Sequence, residues 1–331
     1  MNHNWIFNST DEKIIHQISS FFPDKIFDIH AHIYRLAQLN IPLSSKKIES
    51  TGPSEASISV WKNHLSKFFP GKELCGGLFF PGVTHHINVQ NENSFLLSQL
   101  KENNSSRGLI LLTPETTAEE LTALLSQPEI VGAKIYFYFS REQPILQSST
   151  IGYFPEWQME ICNHFSSVIM LHLVKDKAVS DPANIKEIQY ICKRYPKLKI
   201  ILAHAGRSFH SPNSQPGIQE LAGIGNIWFD TSAICEPESF KVVLKEFGSN
   251  RLMWGSDFPV SQIRGRSITI GDGFVFLDED SCDWAKLSFG NPVLLGIESL
   301  RALKWVSEDY GLTKNEIANI FYGNAKSILS I

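Results

Sequence analysis

The sequence predicts an α/β protein, and a (β/α)8 barrel is the architecture that three observations favour. Short runs rich in Val, Ile, Leu and Phe alternate with longer amphipathic segments, as strands alternate with helices in such folds. Eight runs of this kind occur, and 331 residues accommodate one barrel of about 250 residues with insertions. Ionisable side chains stand at or near the end of several runs. An open doubly wound sheet gives the same local alternation and stays an alternative.

The elements follow in chain order. Strands are predicted at residues 26–32, 74–80, 108–113, 133–139, 168–174, 199–204, 226–230 and 251–257. Helices are predicted at 117–127, which opens with a Thr-x-x-Glu capping box, and at 183–195, 296–310 and 314–329.

Two longer segments, 33–73 and 258–293, interrupt the alternation, and the first contains a further predicted helix near 57–69. Both follow the carboxyl ends of strands, where barrel enzymes build their sites. We therefore expect one domain over residues 1–331 in which these two insertions enclose a substrate.

Composition narrows the classes of function. A hydrophobic content of 43% with 19% charged residues is typical of a globular protein with a large core. The net charge of -4, without a basic stripe, argues against nucleic acid and membrane surfaces and leaves a small molecule as the expected partner. Five scattered cysteines and no leader or long apolar run indicate a cytoplasmic protein with reduced thiols. A homo-oligomer remains open.

The first predicted strand carries the most informative stretch, Asp28-Ile29-His30-Ala31-His32. Strict alternation places Asp28, His30 and His32 on one face and Ile29 and Ala31 on the other. Two adjacent buried imidazoles are costly unless something pairs with them, and a divalent metal uses both at once. Asp28 is expected to lie deeper and to support the histidines.

Further candidate ligands end later strands. His172 ends the fifth predicted strand, His204 the sixth, and Asp257 the eighth. In a closed barrel all three would meet His30 and His32 at one mouth. Three imidazoles and a carboxylate suit Zn²⁺ or another first-row ion with an open position for water, which the ion would activate. Asp257 would then also accept a proton, and His204 would polarise a substrate oxygen or shuttle a proton.

Together these motifs resemble the amidohydrolase superfamily, in particular its amidohydrolase-2 branch. The resemblance rests on Asp-x-His-x-His in the first strand, single histidines ending strands five and six, Gly-Ser-Asp-Phe-Pro after strand eight, and the closing IFYGNAKSIL. It spans residues 26–329 and implies a distorted (β/α)8 TIM barrel with its metal site at the C-terminal ends of the strands. The metal ligands it implies are His30, His32, His172 and Asp257, with a catalytic or ligand role for His204.

The number of metal ions depends on Lys134. By period two this lysine shares a strand face with Tyr136 and Tyr138. In binuclear amidohydrolases a carboxylated lysine on this strand bridges two ions, and His204 then binds the second. One ion is favoured here, because the lysine need not bridge two ions. Its ammonium can instead reach water by snorkelling or pair with a substrate anion. Zinc is expected first, with manganese and iron as alternatives.

Three further assignments concern the substrate and the ligands. Arg207 is a candidate clamp for a substrate carboxylate, with a surface ion pair as the equal alternative. Tyr136 and Tyr138 are candidate cavity residues that would also serve as plain core. Asp230 is interpreted either as a cap of the following helix or as a partner that orients a ligand histidine, and the cap is slightly favoured.

The leading function is a metal-dependent hydrolase that uses metal-activated water on a small carboxylate-bearing ester, lactone or amide. One alternative is a lyase, a metal-dependent nonoxidative decarboxylase of an aromatic or unsaturated acid. The other is a catalytically silent barrel that acts as a binding module.

Overall fold

A computed structural model describes residues 5–42, 47–281, 283–286 and 290–331. Its strands are β1 (Lys25–Arg35), β2 (Glu55–Ala56), β3 (Glu73–Pro81), β4 (Arg107–Leu112), β5 (Ile130–Ile135), β6 (Val168–Leu171), β7 (Lys199–Leu202), β8 (Ile227–Asp230), β9 (Leu252–Met253), β10 (Gly265–Ile270) and β11 (Gly273–Asp278). Its α-helices are Ser9–Ile18, Leu36–Leu39, Ile48–Thr51, Ile58–Leu65, Val89–Lys101, Ala118–Leu125, Thr150–Tyr153, Glu156–His164, Pro182–Arg194, Ser211–Glu220, Pro237–Phe247, Leu295–Tyr310, Lys314–Ala318 and Asn324–Leu329.

The main sheet closes on itself. Its strand order is β2-β1-β3-β4-β5-β6-β7-β8-β9, and every pairing is parallel except that of β2 with β1. Backbone hydrogen bonds then join β1 to the segment after β9: Ile29 N to Trp254 O (3.1 Å), His32 N to Phe258 O (2.8 Å) and Asp257 N to His30 O (2.7 Å). The predicted distorted (β/α)8 barrel is confirmed, and the open-sheet alternative is wrong.

The barrel interior is a packed apolar cluster. Strands β1, β3, β4, β6, β7 and β9 each contribute at least one buried side chain to it, among them Phe27, Leu109, Met170 and Ile201. Buried side chains of the C-terminal helix Asn324–Leu329 belong to the same cluster and close one end of the barrel. The interior is therefore a core in the manner of other barrels, and it leaves the opposite, C-terminal mouth for chemistry.

Several predicted strands end earlier than expected. The run 168–174 is a strand only at Val168–Leu171. The run 133–139 leaves the sheet at Ile135 and continues as a 3₁₀ turn, Phe137–Phe139, so period two does not extend to Tyr138. The run 251–257 is a strand only at Leu252–Met253. The run 199–204 ends at Leu202, after which residues 204–207 take positive φ angles of 55°, 50°, 77° and 62° in a left-handed turn. In each case the chain turns at the barrel mouth.

The first insertion contains its predicted helix, observed as Ile58–Leu65. Ser57 caps it by accepting a hydrogen bond from the Val60 backbone N–H, and Trp61 in its buried face donates from Nε1 to Asp28 Oδ2 over 2.8 Å. This bond fastens the insertion to β1 next to the histidine pair.

The second insertion folds as the antiparallel hairpin β10–β11 beside the barrel mouth. Phe274 and Phe276 of this hairpin pack against Phe209, with ring centroids 4.9 and 5.4 Å from it. At the hairpin turn, His210 Nε2 donates to the Gly271 carbonyl oxygen over 3.3 Å. The hairpin therefore rests on the chain that follows β7.

The described residues include no helix that is both long enough and apolar enough to cross a lipid bilayer.

A buried ion pair fixes the base of the hairpin. Arg264, one residue before β10, donates to both carboxylate oxygens of Asp11 over 3.0 and 2.7 Å. Asp11 also accepts from the backbone N–H groups of Asn8 and Leu294 and is fully buried. The N-terminal helix, the hairpin base and helix Leu295–Tyr310 are thus tied to one carboxylate.

Replacing Arg264 with leucine is expected to lower the free energy of unfolding by about 3 to 5 kcal/mol, because it leaves the Asp11 charge buried without its cation. Lys241→Leu is the matched control: Lys241 also contacts an acid, Asp309, over 2.7 Å, but both side chains are exposed, and the expected loss is below about 1 kcal/mol. Urea unfolding of both variants measures the difference. Equal losses of unfolding free energy in the two variants would show that the buried pair stabilises the fold no more than the exposed pair does.

Candidate metal centre

A pocket of about 310 Å³ opens at the carboxyl ends of the barrel strands. The barrel contributes His32, Lys134, His172, His204 and Asp257 to its lining. Apolar side chains from the chain after β7 and from the second insertion complete much of the rest; they include Phe209, Val260, Ile263 and Phe276. The volume suits a small-molecule ligand.

Strict alternation in β1 fails at Asp28. The pairing of β1 with β3 is irregular between Asp28 and Ala31, and Ile29 belongs to the inner barrel cluster although the alternation placed it on the outer face. Asp28 instead receives hydrogen bonds from Trp61 Nε1, from Ser256 N and Oγ, and from His30 N. Such irregularities commonly re-aim side chains at active sites. Asp28 does support the histidine pair, but from outside the pocket.

Three candidate ligands converge as predicted. His30 Nε2 lies 3.2 Å and His32 Nε2 3.4 Å from the same carboxylate oxygen, Asp257 Oδ1. The other ring nitrogens are occupied: His30 Nδ1 donates to Asp230 Oδ2 and His32 Nδ1 to the Pro81 carbonyl oxygen, each over 3.0 Å. These acceptors hold the proton on Nδ1 of both rings. Both Nε2 lone pairs are therefore available to a metal ion.

Asp230 belongs to this site and does not cap the following helix, so the interpretation as a cap is wrong. Its Oδ2 accepts from His30, and its Oδ1 accepts from the backbone N–H groups of His204 and Ser232 over 3.0 Å each. Burial acts to raise its pKa, but the interactions with His30 and His204 and the hydrogen bond from Ser232 together outweigh burial and lower that pKa to about 2. Asp230 is consequently ionised at neutral pH and orients two of the candidate histidines.

Asp257 occupies a left-handed backbone conformation (φ 53°), which points to a turn that tertiary contacts enforce. Its backbone N–H donates to the His30 carbonyl oxygen, and its neighbour Ser256 donates twice to Asp28. Burial acts to raise the pKa of Asp257, but the interactions with His204, His30 and His32 together outweigh burial and hold that pKa well below the usual value. The carboxylate is therefore positioned and charged.

His204 and His172 lie beside this group. The His204 Nδ1–H donates to the Ser232 carbonyl oxygen over 3.1 Å, its ring lies 5.0 Å from that of His30, and burial lowers its pKa to about 4. His172 has its ring 5.2 Å from that of His204, and burial and His204 lower its pKa well below the usual value. Both imidazoles are thus neutral at pH 7, as metal ligands must be.

Among the residues that the structure describes, two groupings of side chains have the spacing of metal ligands: His30 with His32 and Asp257, and His30 with His204 and Asp230. His172 belongs to neither grouping, although it lines the same pocket. Its Nδ1 makes no hydrogen bond to the described residues. The ligand role that the resemblance implies for His172 stays a prediction.

Lys134 is fully buried on β5, and its Nζ finds no hydrogen-bond acceptor in the described part of the chain. Its ammonium lies 4.9 Å from the centre of the Phe80 ring, and burial lowers its pKa to about 8. A buried ammonium without an acceptor points to a missing anionic partner. Lys134 therefore faces the pocket in need of a ligand oxygen or a modification.

The three predicted substrate residues lie in different surroundings. Tyr136 lines the pocket beside Lys134, with its ring 4.7 Å from that of His172. Tyr138 stacks on His85 at 3.9 Å and is not among the lining residues. Arg207 also lies outside the lining and donates from Nη1 to the Lys175 carbonyl oxygen over 2.8 Å.

Sequence reasoning missed several residues that the structure brings to the site. Ser232, two residues after Asp230, contacts both His30 and His204. Tyr34 continues the period-two face of His32 and lines the pocket, which was a usable signal. Glu49 and Phe209 come from connections without periodicity, so no signal placed them there. Phe276 alternates with Phe274 on β11 after a Gly-Asp-Gly turn, which was a usable hairpin signal.

The residues present fit a divalent metal ion. His30 Nε2 is fully buried, lies close to Asp257 without the geometry of a hydrogen bond, and finds no other acceptor among the described residues. An unpaired buried nitrogen of this kind is costly, and an imidazole–imidazole–carboxylate set supplies the donors that zinc and manganese accept.

Comparisons with known proteins point to the same class. A sequence model of the amidohydrolase family matches residues 77–331. An L-fucono-1,5-lactonase from Burkholderia ambifaria is 28% identical over 130 residues, which is 35% of this chain and less than half, 44%, of that protein.

Solved structures share the fold at low identity. A probable 2-pyrone-4,6-dicarboxylic acid hydrolase from Acinetobacter baumannii, with citric acid bound, is 16% identical at a TM-score of 0.60, over 92% of this chain and 99% of that chain. A dihydroxybenzoic acid decarboxylase from Polaromonas sp. JS666, with manganese and 2-nitroresorcinol bound, is 15% identical at a TM-score of 0.55, over 93% and 97%.

The barrel, the histidine and aspartate residues at its mouth and the family match confirm the resemblance found in the sequence. Because the family model spans most of the chain, the protein belongs to the amidohydrolase family, whose members are metal-dependent enzymes acting on small molecules.

Proposed function

We propose that the protein is a hydrolase of a small lactone, ester or amide and that it uses water activated by one zinc ion. The observation that carries this proposal is the convergence of His30 Nε2 and His32 Nε2 on Asp257 Oδ1 beside the pocket. When bound, the ion would lower the pKa of water from about 15.7 to about 7 and so supply the nucleophile at neutral pH.

One ion is proposed because the two groupings with ligand spacing share His30. In the second grouping a hydrogen bond already joins His30 to Asp230 and orients the His30 ring. We therefore assign the second grouping the task of orienting His30 as a ligand of the first grouping. Zinc is proposed ahead of manganese because nitrogen donors and a single carboxylate suit it.

The other side chains have distinct tasks in this proposal. Asp257 is ionised and accepts the proton of the attacking water. Lys134 offers the ammonium that lines the pocket and stabilises negative charge developing on the substrate carbonyl oxygen. His204 is neutral and anchored through Nδ1, so its remaining nitrogen accepts a hydrogen bond from the substrate or a proton. Phe209 and Phe276 exclude water from one side of the pocket.

A panel of small lactones, esters, amides and aromatic acids tests the proposal on protein loaded with zinc or with manganese. We expect acid release from a lactone or ester with a kcat/KM of at least about 10⁴ M⁻¹s⁻¹ for a good substrate, and loss of that activity after chelation. Release of carbon dioxide from an aromatic acid without hydrolysis would replace the hydrolase by a decarboxylase. No turnover by fully loaded protein would favour a binding module.

A further inference from the structure

Tyr34 and Glu49 are polar residues that line the pocket outside the candidate metal centre, and neither has a task in the proposed reaction. Tyr34 ends the pocket-facing side of β1 and has no exposed surface. Its Oη finds no hydrogen-bond partner among the described residues. Leaving a buried hydroxyl unpaired costs about 1 to 3 kcal/mol, so a group that lines a pocket in this state is poised for a ligand.

Glu49 reaches the same pocket from the short helix Ile48–Thr51 in the first insertion. Burial raises the pKa of its carboxyl group, so the carboxylate is partly withdrawn from water. It shares the lining of this pocket with Tyr34. A carboxylate in such surroundings needs hydrogen-bond donors.

The charges of the lining disfavour a second carboxylate on the substrate. Among the described lining residues Lys134 is the one lysine or arginine, and it belongs to the reacting end of the pocket. Lys47, whose charge lowers the pKa of Glu49, is exposed and is not among the lining residues. Arg207, the cation predicted to clamp a substrate carboxylate, binds the Lys175 carbonyl oxygen and lies outside the lining. A carboxylate near Tyr34 would meet Glu49, which offers like charge and no donor in its ionised form.

We propose that Glu49 and Tyr34 are specificity-determining residues that bind neutral hydroxyl groups of the substrate, so that the enzyme selects an uncharged hydroxylated lactone or ester over a carboxylate-bearing one. Substrate hydroxyls donate to Glu49 and both donate to and accept from Tyr34, whose Oη has no partner among the described residues of the free protein. The inference rests on the proposed hydrolase function and replaces the carboxylate-bearing substrate expected from the sequence.

Three kinds of 1,5-lactone test it on zinc-loaded protein: δ-valerolactone, a set of aldono-1,5-lactones, and a 1,5-lactone that carries one carboxylate. We expect the best aldonolactone to exceed the carboxylated lactone by at least about tenfold in kcat/KM, because donors and charge both favour it. Glu49→Gln is expected to shrink this ratio about tenfold. Tyr34→Phe is expected to raise KM for the aldonolactone about tenfold with a smaller effect on kcat.

Glu55→Gln is the matched control, since Glu55 is an exposed acid of the same insertion, and its ratio of the two kcat/KM values should equal that of the wild type. Thermal unfolding and zinc content verify that Glu49→Gln and Tyr34→Phe remain folded and loaded. A wild-type preference for the carboxylated lactone, or a ratio unaffected by Glu49→Gln, overturns the inference.

Binding of the corresponding 1,5-lactams, measured by calorimetry on zinc-loaded protein, separates this inference from the proposed function. Lactams, in which N–H replaces the ring oxygen, are hydrolysed far more slowly than lactones, and product analysis after each titration verifies that they stay intact, so their affinities do not depend on turnover. Hydroxylated lactams that bind tighter than the carboxylated one in a Glu49-dependent manner support the inference even where no lactone is hydrolysed, and then the hydrolase proposal alone fails. No binding of hydroxylated lactams overturns the inference.

Discussion

Replacing His30 with alanine or Asp257 with asparagine is expected to remove most of the bound metal and to lower kcat/KM about a thousandfold or more. The two residues contribute opposite sides of one contact, His30 Nε2 and Asp257 Oδ1. Asparagine keeps the volume of Asp257 and tolerates its left-handed backbone, so Asp257→Asn isolates the loss of a charged ligand. Elemental analysis of protein purified and dialysed with zinc measures the loss, starting from close to one ion per chain.

His164→Ala is the control for this pair, because His164 is an exposed histidine at the end of helix Glu156–His164, away from the pocket lining. Its zinc content should equal that of the wild type. Normal zinc in both His30→Ala and Asp257→Asn would defeat the metal assignment. Two ions per chain in the wild type, one of them lost in Lys134→Ala, would instead show a binuclear centre and overturn the single-ion proposal.

The barrel and the main metal group were predictable for one physical reason. Strands of a closed parallel barrel are covered on both sides, so they read as continuous apolar runs such as Leu109–Leu112 and Ile200–Leu202, and they end where the first polar side chains appear. Because all parallel strands point the same way, His32 and Asp257 had to meet at one mouth although 225 positions separate them in the chain.

The local backbone of the site was not predictable, because contacts distant in sequence impose it. The left-handed turn after β7 begins at His204, whose backbone N–H is held by Asp230 Oδ1. The irregularity in β1 accompanies the bonds from Trp61 and Ser256 to Asp28. Local propensities disfavour positive φ at a histidine, and no periodicity in the sequence announces these bonds.

The positions of the two insertions over the barrel mouth were also not predictable from the sequence. The helix of the first insertion was predictable from its apolar spacing. The positions of Glu49 and Phe276 at the pocket depend on how the two insertions pack over the barrel mouth, which no local pattern encodes. In the proposed function those segments select the substrate, so the sequence could indicate only a class of chemistry. It left Arg207 open between a substrate clamp and a surface ion pair, and the structure places Arg207 outside the pocket lining.

Asp230→Asn is expected to lower zinc affinity about 10- to 100-fold, although Asp230 orients the ligand His30 and is not itself proposed to bind the zinc ion. The carboxylate accepts from His30 Nδ1 on one oxygen and from the backbone N–H groups of His204 and Ser232 on the other. An amide has one accepting oxygen, so its NH₂ group must face either those N–H groups or the His30 Nδ1–H. If it faces His30, the ring proton moves to Nε2 and the lone pair offered to the metal is lost.

Competition with a zinc chelator measures the affinity, and activity followed against free zinc separates positioning from collapse of the fold. Excess zinc should restore most of the activity of Asp230→Asn, which a collapsed barrel would not allow. Asp181→Ala provides the contrast, because Asp181 caps helix Pro182–Arg194 through the Ala183 N–H: it should cost about 1 kcal/mol of stability and leave zinc affinity unchanged. If Asp230→Asn binds zinc as tightly as the wild type, Asp230 does not orient His30 for metal binding and its role is purely structural.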